Sequence, residues 1–202
     1  MQSLATAPGV MEVLRSSTAE QHLSVELLMP FFRDDFSLQV YRSTLEAFLG
    51  FFEPIEELVS VAADWPAIGI NFNDRRRAHL LRADLGALGL SHADIANLSR
   101  CSFLPAMKSL ESALGCLYVL EGSTLGGQVI VRELARRFNI GASTGASFFL
   151  SHGTSVGEMW KQFCGVLRKH VVAPDCQQLA ADSAKQTFSS LESWLRKVNA
   201  HA

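Results

Sequence analysis

An all-α fold is what this sequence predicts, on three observations. Apolar residues recur at three- and four-residue steps along almost all of the 202 residues, the spacing that keeps side chains on one face of a helix. Period-two alternation, the mark of a half-buried strand, is missing. No internal repeat, linker or low-complexity block interrupts the pattern, so a second domain has nowhere to begin. The predicted unit is one domain over 1–202, with loose ends at 1–9 and 198–202.

The elements follow from local signals. A first helix runs from about Gly9 to Met29 and stops at Pro30, with Leu14, Thr18, Gln21, His22, Val25 and Leu28 on one stripe. A second, Ser37 to Val61, carries Tyr41, Leu45, Phe48, Phe52 and Ile55 on its apolar face, and Pro54 should kink it. Asn73 or Asp74 can cap a helix through Leu88, and Ser91 a short one through Leu98. Pro105 suits the first turn of a long, glycine-interrupted helix to about Asn139, followed by a small-residue loop from Gly141 to Gly153. Ser155 and Glu158 read as a capping box for a helix to Val172, and Pro174 opens the last helix, through Lys197.

Composition removes several function classes. Charged residues are 19% and apolar ones 48% of the chain, which excludes disorder. Eighteen basic against twenty acidic residues give a net charge of -2, so nucleic acid gains no global attraction. Cys101, Cys116, Cys164 and Cys176 never fall in a C-x-x-C spacing, which removes the redox and zinc signatures and suits a reducing cytoplasm. Met1 to Val13 lacks a signal-peptide pattern. Leu114 to Val131 is weakly polar, but Glu121, Ser123, Thr124 and Gln128 argue against a membrane span.

Some motifs fail on context. Gly141-Ala142-Ser143-Thr144-Gly145 matches a nucleophile elbow, yet that turn must follow a strand and here follows a helix. A di-iron bundle needs paired Glu-x-x-His motifs, and no Glu has a His three residues later.

Two features carry more. Gly115, Gly122 and Gly126 are spaced by seven and four, placing a strip without side chains on one helix face. Glycine inside a helix costs about 1 kcal/mol relative to alanine, so something must approach that backbone: a neighbouring helix or a flat ligand. His22 is the second feature. A histidine on an apolar stripe is commonly a core residue with its hydrogen bonds met, but it is also how iron porphyrin is held. Arg15 lies seven residues earlier on the same face, roughly 10 Å along the axis at about 1.5 Å per residue, a reach from iron to propionate. Lys161 and Tyr118 could add contacts.

Three segments then carry a resemblance. Leu14-Arg15-Ser16-Ser17-Thr18-Ala19-Glu20-Gln21-His22, Tyr118 through Gln128, and Lys185 through Trp194 together resemble the heme oxygenase family, closest to bacterial biliverdin-forming enzymes paired with phytochromes. The resemblance spans nearly the whole chain. It implies a multi-helix fold with heme, both cofactor and substrate, between a proximal and a kinked distal helix. His22 matches the proximal iron ligand, Arg15 a position that steadies a propionate, and Gly122 and Gly126 the distal glycines. Lys161 falls near a propionate-binding lysine, and Tyr118 lies one residue from the tyrosine position of the animal enzymes. Ser123 stands where those enzymes have an aspartate that orders water for proton delivery.

The implied reaction opens heme with O2 and electrons to biliverdin, carbon monoxide and ferrous iron. The distal glycines leave room for oxygen to bend toward a meso carbon. An electron donor, ferredoxin or reductase, and a bacteriophytochrome receiving the product are the implied partners. Arg132, Arg136 and Arg137 form a basic cluster that suits an acidic donor or simply a solvated helix end. A non-catalytic heme carrier or sensor on the same fold, and a cofactor-free helical interaction protein, remain as alternatives.

Overall fold

The computed structural model describes residues 8–200 and contains no strand among them. Its helices are α1 (Val10–Glu26), α2 (Leu38–Ser60), α3 (Ala78–Ala87), α4 (His92–Asn97), α5 (Leu110–Gly122), α6 (Gly127–Phe138), α7 (Ser147–Leu150), α8 (Val156–His170) and α9 (Pro174–Asn199). The buried side chains form one contiguous core, in which α9 packs chiefly along α5 and α1.

Helix α2 shows how local chemistry makes tertiary contacts. Ser37 caps it by accepting from the Val40 N–H at 3.2 Å. Pro54 has no N–H for the Gly50 carbonyl, which instead accepts from Cys101 N at 2.8 Å. Gly50 is itself a contact point, because a Cβ there would sit 2.5 Å from Trp194 Cζ2 and 2.7 Å from Ser99 O. The Gly50–Pro54 pair is thus where the 99–101 segment and α9 dock on α2.

Buried carboxylates cap two helices from a distance. Residues 72–75 form a 3-10 turn, so the expected cap at Asn73 or Asp74 does not open α3. Glu56 of α2 does so instead, its Oε1 accepting from Arg77 N at 2.8 Å and Ala78 N at 3.2 Å. Asp84 of α3 accepts from Ser147 N and Phe148 N, both at 2.8 Å, at the start of α7. These contacts span 21 to 64 residues, which is why α7, inside the expected loop 141–153, left no local signal.

The expected long helix from Pro105 to Asn139 is two helices. It begins only at Leu110, capped by Ser109, and breaks at 123–126. Ser91 with Asp94 makes a full capping box on α4, whereas the Ser155 side chain makes no capping bond and α8 is entered through a 3-10 turn. Helix α9 continues to Asn199, so 198–199 are helical where a loose end was expected, Gly9 caps α1, and residues 1–7 and 201–202 of the two expected loose ends lie outside the described residues. Residues Leu110–Phe138 have the length and a mean hydropathy of 1.3 that could cross a membrane, but half of the most apolar stretch is buried in the fold. The apolarity there serves the core.

Candidate active site

A cavity of about 850 Å³ opens between α1 and the α5–α6 break, within the roughly 300–1,000 Å³ usual for small-molecule sites. Its walls are mostly apolar and rich in aromatic rings, with phenylalanines from α2, α7 and α9 and Trp160 from α8. Arg15, His22, Tyr118, Gly122, Ser123 and Gly126 all line it. The fold therefore brings six of the seven expected site residues to one place. Lys161 is the seventh: it is 79% exposed, 4.0 Å from Glu158, and does not line the cavity.

His22 is not a core histidine with its bonds met. Its side chain is 57% exposed, its Nδ1 lies 3.4 Å from Glu26 Oε2, and its ring meets Phe188 edge-on at 5.7 Å. The Tyr118 ring lies 5.8 Å from the Trp160 ring, which ties α5 to α8. Burial raises the Tyr118 pKa and keeps its phenol protonated.

The helix breaks because side chains compete for its last carbonyls. Ser123 Oγ donates to Leu120 O and Thr124 Oγ1 to Glu121 O, each at 2.7 Å. The glycines then divide by role. A Cβ on Gly115 would sit 2.0 Å from Ala180 O, and one on Gly127 1.9 Å from Phe149 O, so both are packing glycines. Gly122 would place its Cβ 4.0 Å from Trp160, and Gly126 would meet no atom within 4 Å among the described residues. Those two face the cavity. Of the expected strip, Gly115 is helix packing and Gly122 and Gly126 are open wall.

Arg77, absent from the sequence reading, stands behind the break. Its Nη2 donates to Ser123 Oγ and to Leu120 O, both at 2.7 Å. The guanidinium is 3% exposed and stacks over Phe148 at 4.8 Å and Phe52 at 5.0 Å. Burial pulls its pKa down to about 10, opposed by Glu121 and Glu56, so it stays charged at neutral pH. Ser123 consequently spends its hydrogen on Leu120 O and one lone pair on Arg77. What remains for the cavity is an acceptor, not a donor. Its one sequence signal was the run Arg75-Arg76-Arg77 between apolar segments.

Other expectations resolve simply. Glu133 binds Arg136 at 2.6 Å and also Arg137, and Arg137 donates to Arg33 O at 3.0 Å, so much of the basic cluster is internally paired. Gly141–Gly145 follows α6, not a strand, and Gly145 O accepts from the Tyr41 hydroxyl at 2.5 Å. The four cysteines are free.

Comparison with known proteins places this geometry. The heme oxygenase family model matches residues 9–197. A heme oxygenase from Xanthomonas campestris pv. campestris (strain 8004) is 33% identical over 136 residues, 66% of this chain and 76% of that protein. The heme oxygenase of Neisseria meningitidis, solved with NO and CO bound, superposes with a TM-score of 0.76 at 20% identity, covering 95% of this chain and 92% of that one. That of Leptospira interrogans gives 0.71 at 21% identity, covering 94% and 100%. The two solved structures establish the shared fold, and the family match over nearly the whole length shows that the chain belongs to the heme oxygenase family, enzymes for which heme is both cofactor and substrate.

Proposed function

We propose that this chain degrades heme with O2 and electrons to biliverdin, carbon monoxide and ferrous iron, acting as a single domain with His22 as the iron's protein ligand. The observation that carries this is the sharing of one aromatic-walled cavity by His22 and a helix break whose cavity-facing positions are Gly122 and Gly126. The residues fit the group. An apolar slot suits a porphyrin face, and Arg15 at the wall suits an anionic propionate. The Glu26 carboxylate beside Nδ1 favours the tautomer with Nε2 free for a metal. Bound heme supplies the iron that activates O2, and an imidazole, unlike a thiolate, does not drive early O–O cleavage.

This chain's own residues orient and exclude. The bare backbone at Gly122 and Gly126 would leave space for O2 beside a bound heme, and the apolar walls would be covered by its ring. Ser123, fixed by Arg77, holds a water by accepting its proton-bearing edge. Arg15 would hold a propionate and so orient the ring, while Tyr118 supports the wall against Trp160. Lys161 reaches a propionate only by leaving Glu158. A ferredoxin or reductase supplies electrons, a bacteriophytochrome takes the bilin, and four free thiols suit the cytoplasm.

Hemin addition with a Soret scan, then ascorbate or a reductase under air, tests the reading. Bleaching of the Soret band with a chromatographically identified biliverdin is expected. A stable Soret band under turnover conditions would make the chain a heme carrier instead.

A further inference from the structure

Next to the cavity, but outside it, lies a buried ion pair that the heme-binding reading does not use. Arg75 Nη1 donates to Glu121 Oε2 at 2.6 Å, and the two side chains are 1% and 3% exposed. The same guanidinium reaches α8, with Nη2 donating to Gln162 Oε1 at 2.9 Å and Nη1 to Met159 O at 3.5 Å. Gln162 Nε2 in turn donates to Gly69 O at 3.3 Å. One fork thus joins the last turn of α5, the 3-10 segment 72–75 and the middle of α8.

The pair is poorly explained as a stabiliser. Burying two ions is costly, and apolar residues of like volume often serve as well. An acid in the last turn of a helix also opposes the helix dipole. Burial pushes the Glu121 pKa up, with Arg75 and Arg77 working against it. Arg75 Nε is buried and finds no hydrogen-bond partner among the described residues.

Its position suggests the purpose. Glu121 precedes Gly122, and Met159 and Gln162 flank Trp160. Gly122 and Trp160 both line the cavity, and a Cβ on the glycine would sit 4.0 Å from Trp160 Cη2. Helix α5 packs far more extensively on α9 than on α8, so the fork is the main polar tie across this gap.

We propose that Arg75 and Glu121 are positioning residues that clamp the helix break against Trp160 and so fix which meso carbon the open backbone leaves exposed to oxygen. The inference rests on the heme-degrading function proposed above. Neither side chain touches the substrate. They act by setting the spacing of the two walls that do.

Three variants test it: Gln162→Ala, which removes the exposed α8 arm together with its link to Gly69 O, Arg75→Lys, which keeps the charge but loses the fork, and Arg75→Met with Glu121→Leu, which swaps the pair for apolar volume. Each is compared with wild type by bilin isomer chromatography and by amide hydrogen exchange of the apoprotein. The expected result is a broadened isomer mixture, with exchange at residues 122–127 about tenfold faster and α9 unchanged. The double variant should keep its melting temperature while losing regiochemistry, which a purely structural role would not produce. Wild-type isomer ratios and wild-type exchange in the three variants would overturn the clamp. A wild-type chain that makes no bilin would instead remove the functional reading on which the clamp rests.

Discussion

His22 reaches its position by the same stripe that buries Leu14 and Thr18, but one turn later it faces the cavity instead of the core. His22→Ala should leave the fold intact, since a side chain 57% exposed contributes little packing. Heme turnover should collapse, and added imidazole should partly restore the ferric low-spin spectrum. Unchanged spectra and rate would put the ligand elsewhere. Ser123 is a subtler case. Ser123→Ala leaves Arg77 Nη2 bonded to Leu120 O and removes the hydroxyl's bond to a water, so a loss of only about twofold to tenfold in turnover is expected, the scale of one neutral hydrogen bond at about 0.5–1.5 kcal/mol. Loss of most activity in steady-state assays would instead make this hydroxyl the main organiser of the distal water. His22 and the open glycines were legible from helical spacing, and Ser123 from the resemblance to the family. Arg77, Trp160 and Glu56 were not, because their contacts at the site span 21 to 46 residues.

At the scale of elements, the glycines offer a clean division. Gly115→Ala drives a methyl into the Ala180 backbone of α9, and overpacking of this kind costs about 1–3 kcal/mol or more. Gly126→Leu meets open space, so the apoprotein melting temperature should hold while heme affinity or turnover falls. The reverse pattern in thermal melts and hemin titrations would assign both glycines to packing. Helix α7 depends on Asp84, whose two oxygens hold Ser147 N, Ser147 Oγ and Phe148 N. Asp84→Asn leaves one carbonyl for these donors, and the loss is expected to be about 1–3 kcal/mol. Burial raises the folded pKa of Asp84 above 3.8, with the Phe148 and Ser147 hydrogen bonds opposing it. A raised acid pKa means the folded state holds its proton more tightly, so this group's stabilisation is greatest below the unfolded pKa and declines as pH rises through the window above it. The cost of Asp84→Asn, measured by urea melts, should therefore be smaller near pH 7 than near pH 4, and the opposite trend would contradict the burial effect. The same helix-level view explains what the sequence concealed. Hydrophobic period and Pro or Ser signals place α1, α2, α4 and α9 well, but the 123–126 break and α7 arise from side-chain bonds that periodicity does not see.

For the whole molecule, the all-helical class followed from periodicity alone, while the cavity did not, because its walls come from α1, α2, α5, α6, α7, α8 and α9 together. Such a cavity is an incomplete core. Leu23, Phe32, Leu125 and Val129 line it and are 55%, 61%, 49% and 54% exposed, apolar surface that a planar ligand would cover. Binding that covers it in the folded state alone stabilises by mass action, about 2.7 kcal/mol at a hundredfold excess over Kd. For a chain of this size that corresponds to a rise in melting temperature of about 5–10 °C. The gain should not be uniform. Helix α9, buried along α5 and α1, already has its partners, so added amide protection should concentrate in the second half of α1 and at 123–130, the elements facing the ligand. Calorimetry and hydrogen exchange with and without hemin read both quantities. The His22→Ala variant should keep part of the shift, since the aromatic walls remain, and lose the rest with the iron ligand. A melting temperature indifferent to hemin, or protection spread evenly over α9, would show that the cavity is not where heme binds.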